Sequence, residues 1–422
     1  MPSFRDGPAS PLFRPVALTG SRAPGLLPGD LVSQELAGAA PQAPSGACVY
    51  HGIPFRVRRP AVVSRTPVTL RCRAVRATWL VFLHTSDTVP LDRDVSGFIR
   101  ASTGHGHLGE HAADYVVLRA DGSEETLPVR RRREVGAFRH PWGEQCFDAV
   151  PAAKPHPVAA NHEQDGGGWG WSQTRASSGE AWEFGTYLWA WRNPRPGVPV
   201  TGLRLVPVTG AVVLYAVSAG RVRSHPLRWE RRRKMIWRMA PGEKFDPKLA
   251  WPGRLGGIEV DLGVVIRAEP RRLYPNGSWE RGLHRSGAPA SDREILIEFA
   301  AHPEARFHFT GGRTVPVTPR RVPDVAVVHP ARQRVELRIV DRATGRPVAV
   351  KLHVHGAAGE YLAPADRHRI PNPAWFEDYS TDVIHDGALP GTYIPGETVL
   401  DLPCGDVFIE VSRGFEVRPR RL

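Results

Sequence analysis

Three groups of residues in this sequence carry side chains suited to chemistry. In Lys351-Leu352-His353-Val354-His355 the two imidazoles are separated by a single residue. On an extended strand, alternate positions share a face, so His353 and His355 stand close enough to bind one metal ion. In Thr103-Gly104-His105-Gly106-His107-Leu108-Gly109-Glu110-His111, the imidazoles of His105, His107 and His111 and the Glu110 carboxylate form a second candidate donor set for zinc or a similar ion. The third group is aromatic. Trp169, Trp171, Trp182, Trp189 and Trp191 follow Gly166-Gly167-Gly168, with Arg175 and Arg192 among them. Indole faces stack on sugar rings or bases, and a guanidinium adds directional hydrogen bonds, so this group reads as a ligand platform.

Each group also has a plainer reading, and in each case it is the favoured one. Val350, Leu352 and Val354 alternate with Lys351, His353 and His355, which predicts a half-buried strand with the imidazoles facing solvent. The ammonium of Lys351 would oppose a bound cation. The glycines of the 103–111 stretch make an ordered metal site costly in conformational entropy, so a solvated or hydrogen-bonded loop is expected. Large aromatics dominate protein cores, and Trp189 and Trp191 would share one strand face, so core packing is expected for most of the Trp group. Arg130 to Arg133 and Arg231 to Arg233 could meet phosphate or carboxylate groups, but such runs more often form solvated strand ends that block edge pairing. Glu377, Asp378 and Asp382 offer carboxylates for acid–base work or a cation. There is no Gly-x-Ser-x-Gly elbow and no phosphate-binding loop.

The elements that must position these residues are strands. The 42 Gly and 41 Pro are spread along the chain, as expected for many short strands joined by turns. No long stretch has helical periodicity. At 422 residues, with 41% hydrophobic and 23% charged residues, the chain can bury several cores. The net charge of +13 would suit a polyanion partner, but only five of the 56 basic residues are Lys. An Arg skew of this kind also follows from a GC-rich coding sequence, and neither zinc-finger spacing nor an RNA-binding strand signature accompanies it, so nucleic acid is disfavoured. Cys48, Cys72, Cys146 and Cys404 are widely spaced and form no Cys-x-x-Cys pair. No run approaches the length of a membrane span, and no secretory leader is apparent. A cytoplasmic location and no membrane partner are therefore expected.

The expected organisation has four parts: a flexible Pro/Ala/Gly-rich arm over residues 1–44, a large β domain over 45–235, a second β domain over 245–325 and a C-terminal β-sandwich over 333–422. The fold class is all-β, with tandem sandwiches. Tyr115-Val116-Val117-Leu118 leading into Asp121-Gly122 predicts a hairpin. A second hairpin is expected to join Val335, Leu337 and Ile339 to Val348 through Val354 across Asp341-Arg342-Ala343-Thr344-Gly345.

The C-terminal stretch carries Trp375-Phe376-Glu377-Asp378-Tyr379, Leu402-Pro403-Cys404-Gly405 and Arg413-Gly414-Phe415-Glu416 in one order. Over about the last 90 residues it resembles the accessory domain of CehA/McbA-type metallohydrolases, relatives of the PHP phosphoesterases. The expected C-terminal fold is an immunoglobulin-like or carboxypeptidase-regulatory-like sandwich. Gly52-Ile53-Pro54-Phe55, Phe82-Leu83-His84-Thr85, Ala120-Asp121-Gly122 and Trp191-Arg192-Asn193-Pro194 resemble a galactose-binding-like jelly roll. In that metallohydrolase family a catalytic metal domain follows the accessory part, whereas this sequence stops at Leu422. An Asp-Leu-His-x-His strand opens the PHP metal site; here Lys351 replaces the Asp. The resemblance implies a non-catalytic binding or assembly role, with no required cofactor. It implies as partners a carbohydrate or other polar small molecule, a separate PHP-type catalytic subunit, or a second copy of the chain. Two alternatives remain: a metal-dependent hydrolase with its site assembled between domains, and a polyanion-binding protein.

Overall fold

The computed structural model describes residues 4–20, 27, 29–89, 94–98, 103–104, 106–139, 146–152, 154, 184–229, 232–246, 249–250, 254–255, 257–282, 287–319, 322–366, 370–372, 377–379, 383–385 and 389–422. The protein is nearly all β, 49% strand and 5% helix, built as tandem sandwiches of antiparallel sheets.

The first sandwich faces two sheets. One runs in the order Phe13–Pro15, Val212–Gly220, Trp79–Ser86, Tyr187–Arg192, Val150–Pro151, with Ala61–Val63 also paired to Val212–Gly220. The other runs Glu124–Arg130, His111–Arg119, Val200–Pro207, Val68–Val75, Leu18–Gly20. The expected hairpin at Asp121-Gly122 is present: Leu118 lies opposite Glu124, and Gly122 takes a positive φ of 78° that a side chain would strain. The strand Trp79–Ser86 is buried at every position. Leu80 and Phe82 enter the sandwich interior, whereas Trp79, Val81 and Leu83 enter a second core on the other side of the same sheet. A strand covered on both faces needs an unbroken apolar run, and Trp79-Leu80-Val81-Phe82-Leu83 supplies one.

That second core is shared with the middle unit. Met235, Trp237, Ile295, Ile297, Phe299 and Phe307 pack into the same cluster as Val81, Leu83 and Tyr215. The middle unit has a four-stranded sheet in the order Gly263–Arg272, Ala290–Ala301, Arg233–Arg238, Val325–Val327, and a three-stranded one of Ile258–Val260, Arg306–Phe309 and Thr314–Pro316. The expected boundary near 235 is thus corrected: Arg233–Arg238 pairs with Ala290–Ala301 and belongs to the middle sheet.

The expected arm is corrected as well. Within 1–44, Phe13–Pro15 extends one sheet of the sandwich and Leu18–Gly20 the other. The Val49 amide donates to Phe4 O, and the helix Gln34–Ala39 buries Leu36 completely in the shared core. Ser33 caps that helix and is itself held by Asp87. Composition signalled a loose segment, but Phe13, Leu18, Leu27, Val32 and Leu36 each find a place in a core.

The C-terminal unit has its own core of Val350, Leu352, Val354, Leu362, Ile394 and Leu400. Its five-stranded sheet runs Val383–His385, Leu389–Ile394, Val350–Gly356, Val407–Ser412, Arg420–Arg421. Gln333–Arg338 pairs with Glu397–Leu402 in a separate two-stranded sheet. The expected hairpin across 341–345 is present but short, with Val340 opposite Pro347 in antiparallel pairing. The Val348 amide bonds Ile339 O, and the Gly345 amide bonds Asp341 O, after which the two strands diverge into different sheets. Alternation marks a strand but does not choose its neighbour.

Candidate functional site

A buried polar region lies where the C-terminal sheet meets the middle unit. Val350, Leu352 and Val354 point into the C-terminal core, so Lys351, His353 and His355 lie on the opposite face. Antiparallel register extends that face sideways: Glu410 lies opposite His353, Phe408 opposite His355, and Arg421 opposite Glu410. The expectation that this face meets solvent is corrected. His353 is 8% exposed and His355 only 4%.

The cover comes from the middle unit's Tyr274 and the short helix Gly277–Arg281. The Tyr274 ring stacks on His355 at 5.2 Å and on Phe408 at 5.1 Å, and the Trp279 ring meets Tyr274 edge-on at 5.1 Å. Such aromatic pairs contribute about 0.5–1.5 kcal/mol each beyond area burial. Arg421 stitches the same seam. Its Nε donates to Glu410 Oε2 at 2.7 Å, its Nη1 donates to Gly282 O at 2.5 Å, and its guanidinium lies 5.8 Å over the Trp279 ring. Arg271 Nη2 donates to Ala357 O at 2.9 Å. His353 Nδ1 lies 2.8 Å from Pro390 O, which accepts only if that nitrogen carries the proton.

Burial sets the charge states here. Removal from water pushes His355 down to about 3, with the positive fields of His353, Arg272, Lys234 and Arg267 adding to the effect. The imidazole is therefore neutral at neutral pH. Glu360 is 3% exposed, and burial raises its pKa despite the opposing fields of Lys234 and Arg271. The Glu360 carboxyl folds over Gly356, where an added Cβ would lie 2.1 Å from Oε1. The seam thus holds a neutral histidine and a carboxyl whose pKa burial raises, both within the positive field of Arg and Lys side chains of the middle unit.

The other expected positions distribute as follows. Trp189 is in the interior of the first sandwich, stacked on Phe82 at 5.2 Å, and Trp191 packs partly buried against the same core. Arg192 is exposed at the end of that strand. Trp169, Trp171, Arg175 and Trp182 lie outside the described residues, as does His105. Thr103–Gly104 and Gly106–His107 form a small antiparallel ladder. His111 begins a sandwich strand, its Nε2 at 2.8 Å from Asp114 Oδ1. Glu110 contacts Arg131 Nε at 3.0 Å. Among the described residues, no group of three or more His, Cys, Asp or Glu is arranged to hold a metal ion.

Two polar constellations gave no sequence signal. His84 is fully buried in the sandwich, with Nδ1 3.0 Å from the Tyr115 hydroxyl and Nε2 3.0 Å from Glu134 O. Burial pushes it down to about 3. At the junction of the first and middle units, Ser224 Oγ lies 2.6 Å from His302 Nε2. The Glu304 amide donates to His302 Nδ1 at 3.1 Å, which leaves the proton on Nε2, so that Nε2 donates to the hydroxyl. In that tautomer the imidazole cannot take the serine proton, and the pair is not an activated nucleophile. Arg131, expected to be solvated, is 1% exposed and ties three loops together by bonding Asp87 O, Thr209 O and Glu110. Sequence spacing cannot reveal these, because the pairs His84–Tyr115, Ser224–His302 and Arg131–Thr209 are each separated by 31 residues or more.

No known protein-family model matches the chain, and no curated protein matches it. Among the described residues, no helix is long and apolar enough to cross a membrane.

Proposed function

We infer that this chain is a binding or assembly protein whose C-terminal unit corresponds to the accessory region of a CehA/McbA-type metallohydrolase. The observation that carries this reading is the use made of the Lys351-Leu352-His353-Val354-His355 strand. Its two imidazoles are packing groups: His353 is bonded toward Pro390 O, and His355 is sandwiched against Tyr274 in neutral form. A strand that would open a metal site in a PHP enzyme here joins two β units. The ligand in this reading is a carbohydrate or similar polar molecule, or a separate catalytic partner. The carbohydrate option rests on the sequence run of Trp169, Trp171 and Trp182, since Trp189 is committed to the core.

The experiment is metal loading and turnover. The full chain is incubated with zinc or manganese, desalted, analysed for metal, and assayed with p-nitrophenyl phosphate and bis(p-nitrophenyl) phosphate. Substoichiometric metal and no turnover above buffer are expected, with the same outcome for His355→Phe, which keeps a ring against Tyr274. Stoichiometric retained metal, with turnover abolished in His355→Phe, would overturn the reading.

A further inference from the structure

We propose that one end of the C-terminal sandwich is a docking surface for an acidic protein segment with apolar side chains. This rests on the binding-or-assembly reading and gives it a place. Three segments meet at that end. The turn after Val340 closes through the Asp341 amide on Arg346 O at 2.9 Å. Arg413 reaches the same turn, its Nη1 3.7 Å from Asp341 Oδ2. Lys351 lies opposite both Tyr393 and Ser412, and the Ile339 amide bonds Gly396 O, which brings the Tyr393–Gly396 segment alongside.

Large apolar side chains stand out from these segments. Tyr393 is 63% exposed, Phe415 83% and Val340 43%. The opposite portion of the same sheet face, around His355 and Phe408, is covered by Tyr274 and Trp279, whereas Tyr393 at this end is exposed. Arg342 and Arg346 on the turn, and Arg418 in the stretch that follows Arg413, are exposed. Among the described residues, no carboxylate lies within ion-pair distance of any of the three. This contrasts with Arg334, Arg338 and Arg421 of the same unit, each matched to an acid. Exposed aromatics ringed by unmatched arginines have the composition of a protein-interface centre, where Tyr and Arg are the strongest contributors. The unmatched positive charge fixes the sign of the partner, and the aromatics call for an apolar complement. Bases could stack on the same rings, so nucleic acid is the competing outcome. Protein is favoured because the aliphatic Val340 contributes alongside the aromatics.

The test is selection of a random displayed peptide library on the immobilised full chain. A variant carrying Tyr393→Ala, Phe415→Ala, Arg342→Glu and Arg346→Glu serves for counter-selection. Enrichment of peptides that pair Asp or Glu with aromatic or aliphatic residues is expected. Their affinity should fall roughly tenfold or more in the variant and should weaken as salt is raised. All four positions are exposed, so the melting curve should not move; Arg346→Glu alone gives a milder charge reversal if it does. Failure to enrich acidic sequences, or peptides indifferent to both variants, would overturn the proposal. So would a single-stranded oligonucleotide that binds more tightly than the peptides and loses binding in the same variants. Any of these results would leave the metal and turnover outcome, and with it the binding-or-assembly reading, untouched.

Discussion

His84 and His355 have the same chemistry in different settings. Both are buried imidazoles pushed down to about 3 by loss of water. His84 is covered by the facing sheet of its own sandwich and bonded to Tyr115 and Glu134. His355 is covered by a residue of another unit, Tyr274, and sits in a seam of rings and arginines. A core inside one sandwich forms with that sandwich. A core between units forms only when the units dock, so the second should open at lower cost.

The largest expected effect belongs to the first setting. Trp189→Ala removes a ring packed on Phe82 and near His84 and Tyr115, and should cost about 3–5 kcal/mol. Urea denaturation monitored by circular dichroism measures it. An unchanged midpoint would mean that Trp189 is a ligand residue after all and that the contrast with the seam is misplaced.

Tyr274→Ala should cost less, about 1–3 kcal/mol, and should act locally. Faster amide exchange or proteolysis is expected in Val350–Gly356 and Val407–Ser412, with protection of Trp79–Ser86 retained. If both regions loosen together, the seam and the first core are one cooperative unit.

The smallest effect is on pH dependence. A histidine whose folded pKa is depressed stabilises the fold above its unfolded value near 6.5 and loses that contribution as pH falls toward the folded value. For both His84 and His355 this window runs from about 6.5 down to about 3. Glu360 has the opposite sign: its raised pKa favours the protonated form, so its contribution falls as pH rises through the ordinary Glu range. Melting temperatures from pH 7 to pH 4 should fall, and His355→Phe should flatten only the component assigned to the C-terminal unit. An identical slope in parent and variant would mean that His355 does not set the seam's acid sensitivity.

Much of the fold was legible because β-structure writes local patterns. Asp121-Gly122 marked a hairpin, and the alternation of Val350, Leu352 and Val354 marked a core face. The pairing of Gln333–Arg338 with Glu397–Leu402 was not legible, because the choice of neighbour depends on residues some sixty positions away. The arm was misread because composition reports average flexibility, whereas Phe13 and Leu36 are held by specific partners. The candidate site was legible as a set of residues but not as an environment. His353 and His355 were identified correctly as sharing a face, but nothing near them in sequence indicates that Tyr274 lies on top.

The sequence by itself determined that the protein is all-β, that it buries several cores, and which strand faces are apolar, because side-chain alternation follows directly from the extended backbone. Only the tertiary structure decided what covers the remaining faces. It placed Tyr274 and Trp279 over His355 and the middle unit over Trp79 and Val81, and it left Tyr393 exposed. Burial of a second face depends on an element brought in from elsewhere in the chain, here Tyr274 stacked on His355.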